Sequence, residues 1–209
     1  MVLPVISDLR VRDLDDVMVL ERRCFEDPWT RRMYLSDLTD NQMATYLVLR
    51  PPQEASLSSD EAMPRVLAYG GFWLLTDEAH VATLASHPEW RGCGLASYLM
   101  LALLARARER GAVTSTLEVR AGNLGAQQLY LKLGYRPVGV RRRYYRNGED
   151  GLIMTTPVLD DPALRAQLDS VLAESLVRIG DCFARFARNP TCGSADPPIF
   201  PSEPEHSNA

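Results

Sequence analysis

Residues 81–130 constrain this chain more than any other stretch, because a strand, a glycine turn, a long helix and a second strand follow one another there. Val81-Ala82-Thr83-Leu84-Ala85 is short, apolar and β-rich, as a buried strand should be. His87-Pro88-Glu89-Trp90 leads from it into Arg91-Gly92-Cys93-Gly94-Leu95-Ala96, and a helical pattern then runs over residues 95–110 until Gly111 ends it. Thr114-Ser115-Thr116-Leu117-Glu118-Val119-Arg120 reads as the second strand, and a short helix beyond Asn123 carries Tyr130.

Gly92 and Gly94 permit a backbone conformation and a closeness of approach that side chains would block. The first turn of the helix after them has unpaired N–H groups and the positive end of the helix dipole, so an anionic group, a pyrophosphate above all, fits there. Two glycines before a helix are equally what a simple tight turn looks like. A P-loop is excluded, because no Lys follows these glycines. The dinucleotide fingerprint fails as well: Ser97 fills its third glycine position, and His87-Pro88-Glu89-Trp90-Arg91 separates the glycines from the strand they should follow directly.

Upstream, Asp8-Leu9-Arg10-Val11-Arg12 reads as a first strand, and Asp13 stands where an N-cap belongs, its carboxylate free to accept from the next turn. Leu14, Val17, Met18, Leu20 and Glu21 continue as a helix ending near Phe25, since the residue before Pro28 avoids helical geometry. Thr30 caps a second helix over residues 31–40. Between the two, Phe25-Glu26-Asp27-Pro28-Trp29 is a turn whose aromatics either staple the helices to the core or line a substrate groove. Residues 44–49 are β-rich, and the polar stretch from Arg50-Pro51-Pro52 to Pro64 reads as a mobile loop.

Residues 65–75 and 78–86 form a hairpin about Thr76-Asp77, and residues 135–143 and 151–158 close the chain as a pair around Asn147-Gly148. The order β-α-α-β-β-β-α-β-α-β-β describes an α/β or α+β domain with a mixed sheet. From Asp161-Pro162 onward, Leu164, Leu168, Val171, Leu172, Leu176 and Ile179 recur at helical spacing, giving a terminal amphipathic helix to about Arg188. That helix needs a surface to cover, on this domain or on a second copy. Residues 189–209 are rich in Pro, Ser and Glu and are expected to be disordered.

A length of 209 residues holds one well-buried domain with an appendage better than it holds two domains. The net charge of −4 argues against general nucleic-acid affinity, which needs a cationic surface to displace counterions. No apolar run approaches the roughly 20 residues that span a bilayer, and Met1-Val2-Leu3-Pro4 lacks a leader's basic and apolar regions. A cytoplasmic protein without a membrane partner is the expectation. Cys24, Cys93, Cys182 and Cys192 lack CxxC spacing and His80, His87 and His206 form no HxxxH pair, so no metal site and four free thiols are expected.

The glycine segment resembles the acetyl-coenzyme A loop of the GNAT family of N-acetyltransferases, whose pattern is Arg or Gln, two variable residues, Gly, any residue, Gly or Ala; Arg91, Gly94 and Ala96 occupy its positions. Within that family, Leu117-Glu118-Val119-Arg120-Ala121-Gly122-Asn123, Leu129-Tyr130, Leu133-Gly134-Tyr135, Arg141-Arg142-Arg143-Tyr144-Tyr145 and the early aromatic turn are similar to the bacterial RimI type, which acetylates the N-terminal alanine of ribosomal protein S18. The resemblance spans about residues 8–157. Gly92 stands where family loops often carry a basic residue, and Cys93 is unusual at its position.

What the resemblance implies is a GNAT fold, a mixed and mostly antiparallel sheet flanked by helices, with residues 1–158 as the acetyltransferase domain, 159–188 as a C-terminal helix and 189–209 as a tail. It implies acetyl-CoA as acetyl donor, no metal, and a protein N-terminus, that of ribosomal protein S18, as acceptor. Glu118 would be the general base and Tyr130 the general acid. Leu84, Ala85 and Ser86 would offer backbone groups to the pantetheine arm, while Arg91, Gly92, Cys93, Gly94, Leu95, Ala96, Ser97 and Asn123 would hold the rest of the cofactor. Phe25, Trp29 and Tyr144 would meet the substrate. The arginines around Tyr144 read as a solvated hairpin face, and no direct nucleic-acid contact is expected. A small-molecule amine acetyltransferase and a non-catalytic coenzyme A-binding module remain the alternatives.

Overall fold

The computed structural model describes residues 3–52 and 63–188. Most of the stretch read as a mobile loop and all of segment 189–209 lie outside them. In chain order the elements are β1 (Val5–Asp8), α1 (Leu14–Cys24), α2 (Arg31–Thr39), β2 (Ala44–Arg50), β3 (Ala68–Leu75), β4 (Glu78–Ser86), α3 (Leu95–Glu109), β5 (Thr114–Arg120), α4 (Leu124–Lys132), β6 (Arg136–Arg141), β7 (Gly151–Thr155) and α5 (Pro162–Arg188). The element order matches the one read from the residue pattern. The strands form a single sheet in the order β1-β2-β3-β4-β5-β7-β6, and among the described residues only β4 and β5 pair in parallel.

That parallel pair positions everything functional. It joins residues Glu78 to Val81 with Thr114 to Leu117 and then stops, although β4 continues to Ser86 beside β3 and β5 continues to Arg120 beside β7. The two strands therefore splay, leaving a wedge between the last residues of each. The register of β3 on β4 shifts at the start of the splay, where Phe72 pairs with Val81 and Gly71 with Thr83, so Ala82 is the extra residue of a bulge. A bulge bends its strand and reverses the alternation beyond it. Accordingly Ala79 and Val81 belong to one core and Ala85 to the other.

Each face of the sheet carries its own core. On one face α1 and α2 cover Tyr46, Val48, Tyr69 and Ala85. On the other, α3, α4 and α5 cover Leu47, Leu49, Phe72, Leu117 and Val119. Helix α3 buries Leu95, Leu99, Met100, Leu103, Leu104 and Ala107, a stripe at helical spacing. Helix α5 lays Leu164, Val171, Ser175 and Ile179 against this domain. Its far end is fixed by Phe183 and Phe186, whose rings each lie 5.0 Å from that of Trp90.

Three sequence expectations need correction. The first strand is Val5–Asp8, not residues 8–12, because Val5 to Asp8 take the ladder opposite Leu47 to Arg50 and the chain then turns through a 3-10 helix at Val11–Asp13. Asp13 does occupy the N-cap of α1, but its side chain bonds no helical N–H; it accepts from the Arg10 N–H at 2.8 Å and pairs with Arg50 at 2.5 Å. The thiols of Cys93 and Cys182 are not free: α5 folds back over the glycine loop, brings their Cα atoms within 5.7 Å and joins them in a disulfide.

His87, just past β4, is buried and bonded at Nε2 to the Arg23 guanidinium at 2.9 Å. Burial, and then the charge of Arg23, pushes its pKa below the ordinary value. The unfolded chain therefore binds a proton that the folded chain refuses. Its stabilising contribution is full above the unfolded pKa of about 6.5 and is lost as pH falls from there through the folded value. Thermal melts between pH 7.5 and 5 should show wild-type stability declining on acidification, and His87→Asn should flatten that slope.

Candidate functional site

Period-two alternation puts His80 on β4 and Thr116 and Glu118 on β5 on the face turned to α1 and α2, while Leu117 and Val119 point into the opposite core. Glu118 lies one residue past the last β4–β5 pair, at the root of the wedge. Its side chain is only 5 % exposed, with Oε2 3.2 Å from His80 Nε2 and Oε1 3.1 Å from an Arg141 guanidinium nitrogen. Oε1 nonetheless has no aligned hydrogen-bond donor. A buried carboxylate held by charge yet short of a donor is primed to accept one from a ligand.

An aromatic row leads to this carboxylate. Trp29 stacks on Trp73 at 5.8 Å between centroids, and Trp73 stacks on His80 at 6.1 Å. The indole N–H of Trp73 is fixed by donation to Asp37 at 2.7 Å. Phe25 and Trp29 pack against the α1-side core, so the turn between α1 and α2 staples the helices while Trp29 also heads the ring stack that ends at His80.

The anchor of that turn is Glu21, which is 1 % exposed. Its carboxylate accepts from the Trp29 N–H at 2.7 Å, from the Tyr34 hydroxyl at 2.8 Å and from the Tyr69 hydroxyl. Burial raises its pKa, against the pull of the Trp29 and Tyr34 bonds.

The β6–β7 turn reaches across to the same segment. Arg146 approaches Asp27 at 3.4 Å, Asn147 donates to Glu26 at 3.4 Å, and Arg120 bridges Glu149 at 3.0 Å and Glu26 at 3.5 Å. Exposed pairs of this kind contribute about 0–1 kcal/mol each, so the clasp orders the rim without locking it. Tyr144 is exposed and lies over Arg141 at 5.2 Å, and Tyr145 lies over Arg120 at 4.1 Å.

Tyr130 is buried on α4, 5.7 Å between ring centroids from Tyr135. Burial, with the neighbouring Tyr145, pushes its phenol well above the ordinary tyrosine range, so it stays protonated at neutral pH. Tyr145 is pushed up to about 12, first by burial and against the charge of Arg120, with Tyr144 and Glu118 adding to the rise. Tyr145 thus senses both Glu118 and Tyr130. It and His80 are site residues that the sequence reading did not single out. Alternation along β4, with a parallel partner in β5, was the signal that could have found His80.

The remaining candidates gather along the wedge. Leu84, Ala85 and Ser86 lie on β4 past the splay, where the strand has no partner on the β5 side among the described residues. Gly94 caps α3 at φ 84°, a left-handed conformation that disfavours any side chain, and Gly92 at φ 77° has open space where a Cβ would be. The N–H groups of Leu95, Ala96 and Ser97 in the first turn have no intrahelical partner. Arg91 is exposed beside Cys24, whose thiol burial pushes up against the charge of Arg91. Cys93 is buried and committed to Cys182, so only its backbone faces the loop. Asn123 caps α4, its Oδ1 accepting from the Ala126 N–H at 3.1 Å, which leaves its amide NH2 as the part open to a ligand.

No grouping of three or more His, Cys, Asp or Glu suited to a metal ion occurs among the described residues. No described helix is long and apolar enough to cross a membrane.

Comparison with known proteins adds the following. Residues 14–135 match the model of the Acetyltransferase (GNAT) family. A protein of Bacillus subtilis (strain 168), provisionally named a [ribosomal protein bS18]-alanine N-acetyltransferase, is 35% identical over 150 residues, 71% of this chain and 92% of its own length. The [ribosomal protein bS18]-alanine N-acetyltransferase of Salmonella typhimurium is 33% identical over 156 residues, covering 73% of this chain and 97% of that protein. Among solved structures, the ribosomal-protein-S18-alanine N-acetyltransferase from Escherichia coli superposes with a TM-score of 0.64 at 28% identity, over 75% of this chain and 94% of that one.

Proposed function

Because this chain belongs to the GNAT acetyltransferase family, we propose that it is a peptide α-N-acetyltransferase acting in the cytoplasm on the N-terminal alanine of ribosomal protein S18. The observation that carries this reading is Glu118: a buried carboxylate with an undonated oxygen, at the root of a strand wedge and beside the ring stack of Trp29, Trp73 and His80. The names of the relatives supply the acceptor.

Acetyl-CoA brings the acetyl group as a thioester, and the chain must bind it, present a neutral amine and return a proton to the departing thiolate. The unpaired β4 edge at Leu84, Ala85 and Ser86 suits the amide-bearing pantetheine arm as an extra strand would. The first turn of α3, with Arg91, Gly92, Cys93 and Gly94 before it, suits the pyrophosphate. Asn123 meets the cofactor through its amide.

Glu118 draws a proton from the α-ammonium, directly or through a water. At neutral pH about a tenth of an α-amine is already neutral, against well under a thousandth of a lysine amine, so this step demands little of the base. Phe25, Trp29 and Tyr144 flank the incoming N-terminus. As the neutral amine bonds to the acetyl carbon and the C–S bond breaks, the buried phenol of Tyr130 supplies its proton to the departing thiolate and is reprotonated, through water, by the proton that the nitrogen sheds. Residues 1–158 carry this chemistry, and 159–188 form an extension packed on it.

The full chain, given acetyl-CoA and a peptide with the N-terminal sequence of S18, should acetylate the α-amine. Transfer confined to a small-molecule amine, or no transfer with tight cofactor binding, would contradict the proposal. Tyr130→Phe should lower kcat about a hundredfold, with acetyl-CoA affinity within a factor of about two of wild type; single-turnover kinetics separate the two.

A further inference from the structure

A cavity of about 390 Å³ opens beside the glycine loop, lined by Gly92 from the loop and by Arg178, Asp181, Arg185 and Arg188 from α5. The spacing of three, four and three residues places these four side chains on one face of the helix. All four are exposed, and none forms an ion pair or a side-chain hydrogen bond with another described residue. The lining thus carries three cations against one anion, none paired with another described residue.

The position of that face is fixed. Where a Cβ would stand on Gly94, the Ser175 backbone oxygen lies at 3.1 Å and the Arg178 Cβ at 3.4 Å. The Cys93–Cys182 disulfide and the packing of Phe183 and Phe186 on Trp90 hold the following turns in place. Three guanidiniums are therefore presented at the outer side of the loop whose inner side leads to the α3 N-terminus. Guanidinium groups present several donors in a fixed fork and suit phosphate oxygens better than any other side chain.

We propose that the arginine face of α5 binds the ribose 3′-phosphate of coenzyme A, next to the pyrophosphate held at the start of α3. This rests on the coenzyme A site proposed above and extends it onto the C-terminal helix. A ligand anchored by its pyrophosphate at α3 must run its phosphorylated ribose out past Gly92, where the cavity begins. The row from Arg178 to Arg188 covers about 15 Å along the helix axis, enough to follow that end of the molecule.

Calorimetric titration of the full chain with coenzyme A and with 3′-dephospho-coenzyme A tests the assignment. Wild type should bind coenzyme A about ten- to a hundredfold more tightly, the range that charge-assisted hydrogen bonds supply. The Arg185→Ala/Arg188→Ala variant, and separately Arg178→Ala, should erase most of that preference while leaving the affinity for the dephospho ligand at its wild-type value. Arg165→Ala, near the start of α5, should change neither. Equal weakening toward both ligands, or no change toward either, would overturn the inference while leaving the coenzyme A site standing. Failure of wild type to bind either ligand would remove both readings together. All four positions are exposed, and unchanged melting temperatures would confirm that the variants fold.

Discussion

Replacing Glu118 with Gln is expected to lower kcat for an alanine-initiated peptide by about 10²–10⁴-fold, the usual contribution of a positioned general base, while coenzyme A affinity stays within about twofold of wild type. Gln preserves the volume but carries no charge and cannot take a proton. The carboxylate lies between His80 and Arg141. Neutralising it therefore also leaves Arg141 without its buried counter-charge, and Arg141 should turn toward Tyr144, which it already overlies. Rates measured with saturating peptide across pH 6–9 would separate proton abstraction from peptide binding. A Gln variant with wild-type kcat would assign Glu118 a structural role only.

The second large effect is on stability. Glu21→Ala should cost about 2–4 kcal/mol, because it leaves the Tyr34 and Tyr69 hydroxyls and the Trp29 N–H without their acceptor. For a chain of this size that corresponds to roughly 5–15 °C in Tm. The loss should reach function as well, since the same carboxylate pins the turn that carries Trp29, which the proposal places against the substrate; the KM for peptide should rise more than that for acetyl-CoA. The raised pKa of Glu21 has a definite sign. Its stabilising contribution is full below the unfolded carboxyl value of about 4.3 and is lost as pH rises through the folded value. Glu21→Gln, which keeps one acceptor oxygen, should be milder than Ala and free of that pH dependence. Calorimetric melts of both variants check the ranking, and equal Tm values for Ala and wild type would contradict it.

Local signals in the chain served well where the cause is local. Thr30 accepts from the Met33 N–H, so that cap was legible from residue type. The helix of residues 162–188 followed from apolar spacing alone, and its bounds match Pro162–Arg188. The glycine loop, Glu118 and Tyr130 were proposed as site residues through a family resemblance that short segments carry. What escaped was set by contacts distant in sequence. Cys93 and Cys182 are 89 residues apart, and no spacing rule joins them. Glu21 looked like one more position on a helix face, yet its partner Tyr69 lies 48 residues on. The first strand was displaced toward the C-terminus because Leu9 and Val11 alternate plausibly, whereas the ladder is decided by β2, with Val5 opposite Arg50 and Asp8 opposite Leu47. The bulge at Ala82, which turns Ala85 to the α1 side, has no sequence mark beyond a small residue.

The most direct test of the proposed activity is mass spectrometry of ribosomal protein S18 from cells with and without this chain. The N-terminal alanine should carry an acetyl group in the parent cells, lose it when the chain is removed, and regain it on return of the wild-type chain but not of Glu118→Gln. Undiminished acetylation of S18 in cells lacking the chain would contradict the assignment of that substrate.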